Sequence, residues 1–412
     1  MNKEFFINNR KKFAEKMEDN SIAVFFSGVF HRDTCDQLIH PFSVERNFYY
    51  LTGVDADGII LLLHKSEELL QEYLFILPVD PMYERWQALM MRPPEAMEIS
   101  GVENILYTYE FDKIVANCYG DSFADKLYIY SDIAEFHEPL TLSQNYAKRF
   151  RDIYPSARII NSKPIMVLLR QQKTSEEVDE IITAVNLASD AMVYLSQGLK
   201  PGIFEYEAKA RFQYFLNMKG SQPRFRSIVA AGKNATILHY NKTGYQMQDG
   251  DLLIVDAGAM NNWYVSDLTR TFPVNGKFTP RQRTIYNIVL EAELIAIEKM
   301  KYNSSWYDLE NAVRDFFAKA LKSIKEIKDE RDLDKYYFHD SGHPIGLDLH
   351  DIKDKERIFL EGCVHTIEPA LYFPDEGFGI RIEDNIWIKK DETVVLSERL
   401  VKNPDDIENL FI

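Results

Sequence analysis

The chain has 412 residues, 46% hydrophobic and 27% charged, which is apolar material enough for one large core or two ordinary ones, so two domains are expected. Its formal net charge of −16, with no long Lys/Arg block to offset it, argues against nucleic acid or an anionic membrane as partner. Cys35, Cys118 and Cys363 are far apart without CxxC spacing, which points away from a disulfide framework or thiolate zinc and fits a reducing compartment. No stretch has the form of a signal peptide or the length of a membrane span, so a cytoplasmic location is expected.

In chain order, the apolar runs at Ser21 to Gly28 and Asp57 to His64, bounded by turn residues, predict buried strands, and further runs at Tyr73 to Leu77 and Lys126 to Tyr130 continue the pattern. Helical stretches lie between them, so residues 1–163 form an α/β domain. The segment Lys163 to Thr174 marks the boundary, because Ser175-Glu-Glu then heads a long amphipathic helix to Gln197. A second domain, residues 174–412, follows with helix Glu205 to Lys219 and strands at Phe225 to Ala230, Asp251 to Ala257 and Ser266 to Pro273. Helices Pro280 to Met300 and Ser305 to Lys325 come next, then strands at Cys363 to Ile367, Gly379 to Ile382 and Asn385 to Ile388. This half reads as α+β, with its strands collected around one sheet.

Acidic residues stand at the ends of those strands. Asp256 ends LLIVDAG and Asp267 opens VSDLTRTF, so a short excursion through Met260 to Tyr264 returns both carboxylates to one place. Glu368 in TIEPALY and Glu383 in GIRIEDNIWI repeat the arrangement around the turn residues Pro374, Gly377 and Gly379. Convergent buried carboxylates repel unless cations neutralise them. With His343 as a nitrogen donor, the set suits two divalent ions about 3.5 to 4 Å apart. Oxygen-rich ligation without cysteine favours Mn²⁺ over Co²⁺, Fe²⁺ or Zn²⁺. Singly, each residue has a plainer reading, as a turn, cap or salt-bridge residue for the acids and as a satisfied loop or core group for His239, His339 and His350.

The stretches SIVAAGKNATILHY, DGDLLIVDAGAMNNWYVSDLTRTFPVNGKF, HDSGHPIGLDLHD, EGCVHTIEPALY and GIRIEDNIWI, in that order, resemble the pita-bread metallopeptidases, most nearly their Xaa-Pro aminopeptidase branch, with the Xaa-Pro dipeptidases next. The resemblance implies a pita-bread catalytic domain in which Asp256, Asp267, His343, Glu368 and Glu383 hold the metals, Asp267 and Glu383 bridging them. It further implies that His239 stabilises a tetrahedral intermediate, that His350 serves the scissile carbonyl or the leaving nitrogen, and that His339 lines the proline side of the pocket. Arg381 would steady the site, and Tyr264 and Tyr372 would support substrate binding. FSVERNFYYLTGVDADGIILLLH resembles the creatinase-type domain that precedes such catalytic domains, with Trp86 and Asp36 as contributors to the active-site mouth and a homodimer or homotetramer as the assembly. Two departures stand out: Ala370 where the family commonly has glycine, and Pro344 after the histidine ligand.

The expected reaction is release of an N-terminal residue that precedes proline, by a hydroxide held between the two cations. A prolyl bond has no amide hydrogen and a fixed ring, so a pocket shaped for that ring selects by sterics. Alternatives are a dipeptidase for Xaa-Pro and, from another class, an inactive binding scaffold. A methionine aminopeptidase is disfavoured by the large N-terminal domain, and metal-free creatinase-like chemistry by the complete ligand set.

Overall fold

The computed structural model describes residues 1–30, 42–67, 69–120, 124–131 and 137–411, so Cys35 and Asp36 lie outside the described residues. The chain divides into two compact units, Met1–Leu169 and Arg170–Ile412.

In the first unit, α1 (Lys3–Glu15) starts where the Asn2 side chain accepts from the backbone N of Phe5, and it buries Phe5, Phe6 and Phe13 on one face. Strands β1 (Ser21–Phe26), β2 (Ile60–Ser66), β3 (Leu69–Ile76), β4 (Asn104–Tyr107), β5 (Lys126–Ile129) and β6 (Arg158–Asn161) form one mixed sheet in the order β4-β3-β2-β1-β5-β6. The pairs β1–β2 and β2–β3 are antiparallel, while β3–β4, β1–β5 and β5–β6 are parallel and need crossover connections. Helix α2 (Arg46–Thr52) lies between β1 and β2, and α3 (Pro81–Trp86), α4 (Pro93–Ser100), α5 (Phe111–Gly120) and α6 (Leu142–Ile153) lie in the connections after β3, β4 and β5. Ile22, Val24, Leu62, Phe75, Phe111 and Phe150 pack into a core between sheet and helices. Trp86 ends α3 with 77% of its surface exposed. The short strands β4 and β6 are additions to the four expected, because each has only four residues and none fully buried.

Helix α7 (Lys163–Gln171) carries the chain across the division. In the second unit, Thr174 and Glu177 form a capping box that opens α8 (Ser175–Ser196), which packs on α9 (Glu205–Met218). Strands β7 (Ile228–Ala231) and β8 (Leu252–Ala257) come next, then a tight hairpin of β9 (Met260–Asn261) and β10 (Tyr264–Val265), then β11 (Leu268–Pro273). Helices α10 (Pro280–Lys299) and α11 (Trp306–Ser323) precede β12 (Val364–Ile367), β13 (Ala370–Phe373), β14 (Phe378–Arg381), β15 (Asp384–Ile388) and β16 (Thr393–Val395), and α12 (Pro404–Asn409) closes the unit.

These strands do not share one sheet, as the sequence suggested. Among the described residues they make four small ladders: β11-β8-β7, β10-β9, β12-β15-β16 and β13-β14. The division has a local cause. Because β12 pairs with β15 and β13 with β14, residues 364–388 are one long hairpin broken at Glu368-Pro369 on one arm and Ile382-Glu383 on the other. Pro369 has no N–H to give the ladder. The backbone N of Glu383 donates instead to Thr269 O at 3.0 Å, which joins the hairpin to β11. The breaks fall where acidic side chains turn inward.

Candidate metal centre

Asp256 lies in β8 opposite Thr269 of β11, and Asp267 comes just before β11, so the excursion through β9 and β10 does return the two acids to one region. The amide of Asn385 grips Asp267 from behind: its Oδ1 accepts from the backbone N of Asp267 at 3.2 Å, and its Nδ2 donates to the backbone O of Asp267 at 2.6 Å. His343 follows Gly342, where a Cβ would lie 2.2 Å from Thr366 O, so only glycine lets the histidine loop approach β12 this closely. Nδ1 of His343 donates to Pro344 O at 3.1 Å, which leaves Nε2 as the free electron pair. That Nε2 stands 3.4 Å from Asp267 Oδ2 and 3.7 Å from Glu368 Oε1.

Asp267, His343 and Glu383 each offer a ligand atom within 4.8 Å of the others, and all three are buried. Glu383 uses Oε2 to accept from Thr269 Oγ1 at 2.7 Å, whereas its Oε1 and Oδ1 of Asp267 are buried without a hydrogen-bond partner among the described residues. Buried carboxylate oxygens in that condition are costly. Burial first, and then the neighbouring acids, push Glu383 well above the usual carboxylate range. Glu368 is pushed up to about 7 by burial, against the pull of His343 and Arg381. Asp256 goes to about 8, again through burial, with Asp267 and Glu368 adding to it and Arg381 opposing. Cations supplied from outside would remove this conflict, and the mixed O,N donor set with unspent lone pairs fits divalent metal.

Above this floor opens a cleft of about 510 Å³, lined by Asp256, Asp267, His343 and Glu368 below and by His239, His339, His350, Phe225, Arg226 and Lys353 around the sides. The rings of His343 and His350 lie 4.0 Å apart. Arg381, fully buried, donates from Nη2 to Asp256 Oδ2 at 2.6 Å, from Nη1 to the Tyr372 hydroxyl at 2.8 Å and from Nε to Thr269 Oγ1 at 3.3 Å. The Tyr372 hydroxyl meets Nε2 of His339 at 3.0 Å, and Nδ1 of His339 donates to Asp340 O at 2.7 Å, so the shared proton between them is donated by tyrosine. Burial holds His339 down at about 4. It is a neutral imidazole at pH 7.

Residues 179–390 match metallopeptidase family M24, and residues 6–128 match the N-terminal domain of aminopeptidase P. The chain belongs to metallopeptidase family M24. Its curated relatives include the Xaa-Pro aminopeptidases of Haemophilus influenzae, 31% identical over 99% of this chain and 97% of the relative, and of Escherichia coli, 29% identical over the same shares. A solved Bacillus anthracis chain described as a candidate aminopeptidase P superimposes with a TM-score of 0.97 at 36% identity, covering 100% of this chain and 98% of that one. Zinc-substituted Escherichia coli aminopeptidase P in complex with product gives 0.90 at 28% identity over the same shares.

In this M24 chain most of the expected site residues meet, but Tyr264 does not join them. Its hydroxyl donates to Glu177 Oε1 at 2.8 Å, and the ring, 1% exposed in β10, is absent from the cleft wall. The buried Glu177 carboxylate needs that donor, which is why the side chain turns toward α8. Sequence reasoning also missed Glu205. Its Oε1 accepts from the backbone N of Ala231 at 2.8 Å and from Asn234 Nδ2 at 3.0 Å, and its Oε2 accepts from Tyr240 OH and the backbone N of Tyr245, both at 3.1 Å. One carboxylate thus ties down both ends of the loop that carries His239. A lone Glu at the first position of a helix signals only a favourable helix dipole, so nothing local distinguished it. Ala370 opens β13 fully buried against Ile228, Ala230 and Tyr372, and Pro344 bridges to His365.

Proposed function

We propose that the chain is an Xaa-Pro aminopeptidase in which Asp256, Asp267, His343, Glu368 and Glu383 would hold two divalent cations. The observation that carries this reading is the cluster of Asp267, His343 and Glu383, with one buried oxygen of each acid unpartnered among the described residues, where Asp267 and His343 form the floor of a histidine-walled cleft. Mn²⁺ is the ion the oxygen-rich set favours. The names of the relatives favour the aminopeptidase over an Xaa-Pro dipeptidase.

Bound there, the cations would polarise the scissile carbonyl and make a water nucleophilic at neutral pH. The rest falls to side chains. The acidic floor attracts the α-amino group of a peptide and anchors its N-terminus. His239 faces the carbonyl oxygen as its charge grows, and His350 hydrogen-bonds the same group or hands a proton onward. The prolyl nitrogen has no hydrogen of its own, and Glu368 would take the proton that the attacking water gives up and pass it to that nitrogen as the C–N bond breaks. His339, neutral and oriented by Tyr372, presents an uncharged face to the proline ring. Among the described residues no helix is long and apolar enough to cross a membrane. Work in the cytoplasm, as a homodimer or homotetramer, completes the reading.

The test is hydrolysis of a tripeptide Xaa-Pro-Yaa beside the dipeptide Xaa-Pro, after chelation and readdition of Mn²⁺, Co²⁺ or Zn²⁺. Chelation should abolish cleavage, Mn²⁺ should restore it for the tripeptide, and Glu368→Ala should lower kcat on the order of 10³-fold. Cleavage that survives both chelator and substitution would overturn the reading.

A further inference from the structure

The cleft shows what His350 faces but not what keeps it there. His350 sits on an irregular stretch between His343 and Asp351, with no ladder to fix it. Its neighbour Asp351 turns inward until its side chain is 1% exposed. Oδ1 of Asp351 accepts from Arg170 Nη2 at 2.6 Å and from the backbone N of Ile352 at 2.9 Å, while Oδ2 accepts from Lys173 Nζ at 2.9 Å. The same Arg170 nitrogen reaches Asp348 Oδ2 at 2.7 Å. One guanidinium therefore holds the acids on both sides of Leu349-His350.

The backbone of the loop is built around this clasp. The backbone N of Asp351 donates to Pro344 O at 2.9 Å, and that of Gly346 donates to Asp348 O at 3.2 Å. At Gly346 a Cβ would lie 2.1 Å from Asp351 Oδ2 and 2.9 Å from Lys173 Cε, so glycine leaves the room through which the ion pair passes. Lys173 is itself fixed, its backbone N donating to Gly362 O at 2.9 Å ahead of β12. Burial would raise the Asp351 pKa, but Lys173 and Arg170 outweigh it and hold the carboxyl below its ordinary value.

A buried ion pair whose only task is stability often does no better than apolar packing. This one is spent on a loop that presents His350, beside Leu349, to the cleft. We propose that Arg170, Lys173 and Asp351 are positioning residues for His350, setting its ring against His343 and so setting kcat. The inference rests on the reading of His350 as a group that acts on the substrate in Xaa-Pro hydrolysis.

The test is a double-mutant cycle on the metal-loaded protein, with kcat and KM for Xaa-Pro-Yaa, bound metal and Tm recorded for each variant. Lys173→Met should lower kcat about 10- to 100-fold with KM and bound metal nearly unchanged, as expected for a displaced reacting group, and Lys173→Arg should restore most of it. In a His350→Ala background the same Lys173→Met change should cost less than about twofold, because the residue it acts through is gone. An equal loss in both backgrounds, or no loss in either, would overturn the proposal, since a purely stabilising clasp would behave that way. If Lys173→Met does not fold, Arg170→Lys, which keeps a buried cation but loses the fork, replaces it in the cycle. Wild-type kcat in the His350→Ala protein would remove the assigned role of His350 and the clasp's role with it, which separates that failure from failure of the clasp alone.

Discussion

Glu383 and Asp384 are adjacent, both buried, and live in opposite electrostatic worlds because neighbouring side chains in an extended chain face opposite ways. Asp384 turns to protein cations: Oδ1 accepts from Arg270 Nη2 and from Ser397 Oγ, each at 2.7 Å, and Oδ2 accepts from Lys402 Nζ at 2.6 Å. Burial would raise its pKa, but Arg270 and Lys402 win and hold it below the usual carboxylate range. Glu383 turns to Asp267, Glu368 and Asp256, and burial together with those like charges drives it upward. The chain sets two cations on the Asp384 face of the strand, whereas on the Glu383 face the acids outnumber the one guanidinium, Arg381, and full countercharge is lacking. The face that lacks it is where an external cation belongs.

The largest effect expected from this contrast is on stability. Asp384→Ala takes from buried Arg270 its carboxylate partner, leaves Lys402 with Glu293 alone, and should destabilise the fold by about 3–5 kcal/mol in urea unfolding. Glu383→Gln keeps an acceptor for Thr269 and relieves repulsion from Asp267, Glu368 and Asp256, so the metal-stripped protein should change by less than about 1 kcal/mol while losing metal affinity. Equal destabilisation by both substitutions in stripped protein would erase the distinction.

Next in size is a pH effect at the edge of the cleft. His339 is held at about 4 in the fold, by burial first and then by Arg381, against 6.5 as its ordinary value. An unfolded histidine therefore takes up a proton before the folded one does, so this contribution is complete above about 6.5 and is lost as pH falls toward about 4. An NMR titration should place the His339 ring near that lower value, and His339→Gln should flatten unfolding stability across that interval. A ring that titrates at its ordinary value would show the imidazole to be solvated rather than clamped.

The smallest effect concerns Tyr264. Its hydroxyl serves Glu177 and not the cleft, so Tyr264→Phe should cost about 1–2 kcal/mol in stability and leave kcat within about twofold. A large fall in kcat with unchanged Tm would return Tyr264 to the substrate.

The acids themselves were legible because strands announce their ends: Asp256 and Asp267 flank one turn-rich excursion, Glu368 and Glu383 another, and the order of motifs did the rest. Their supports were not legible. Thr269 reaches Glu383 and Asn385 reaches Asp267 across more than a hundred residues, as Arg170 reaches Asp351, and no periodicity encodes such a meeting. The single-sheet expectation failed for a related reason. Apolar alternation reports that a strand exists, but the ladder breaks at Glu368 and Glu383 are set by which neighbour each backbone N–H finds. Tyr264 shows the converse error, since its place beside Asp267 in sequence says little about where a ring points in a tight hairpin.

The interrupted hairpin has one more consequence. Glu368 and Glu383 sit on its two arms, while Asp256 and Asp267 are synthesised well before either. A chain extended only as far as Asp267 holds two of the five proposed donors, and until the hairpin closes Glu368 and Glu383 are not in register. The full set of proposed donors can therefore come together only once the C-terminal hairpin has closed.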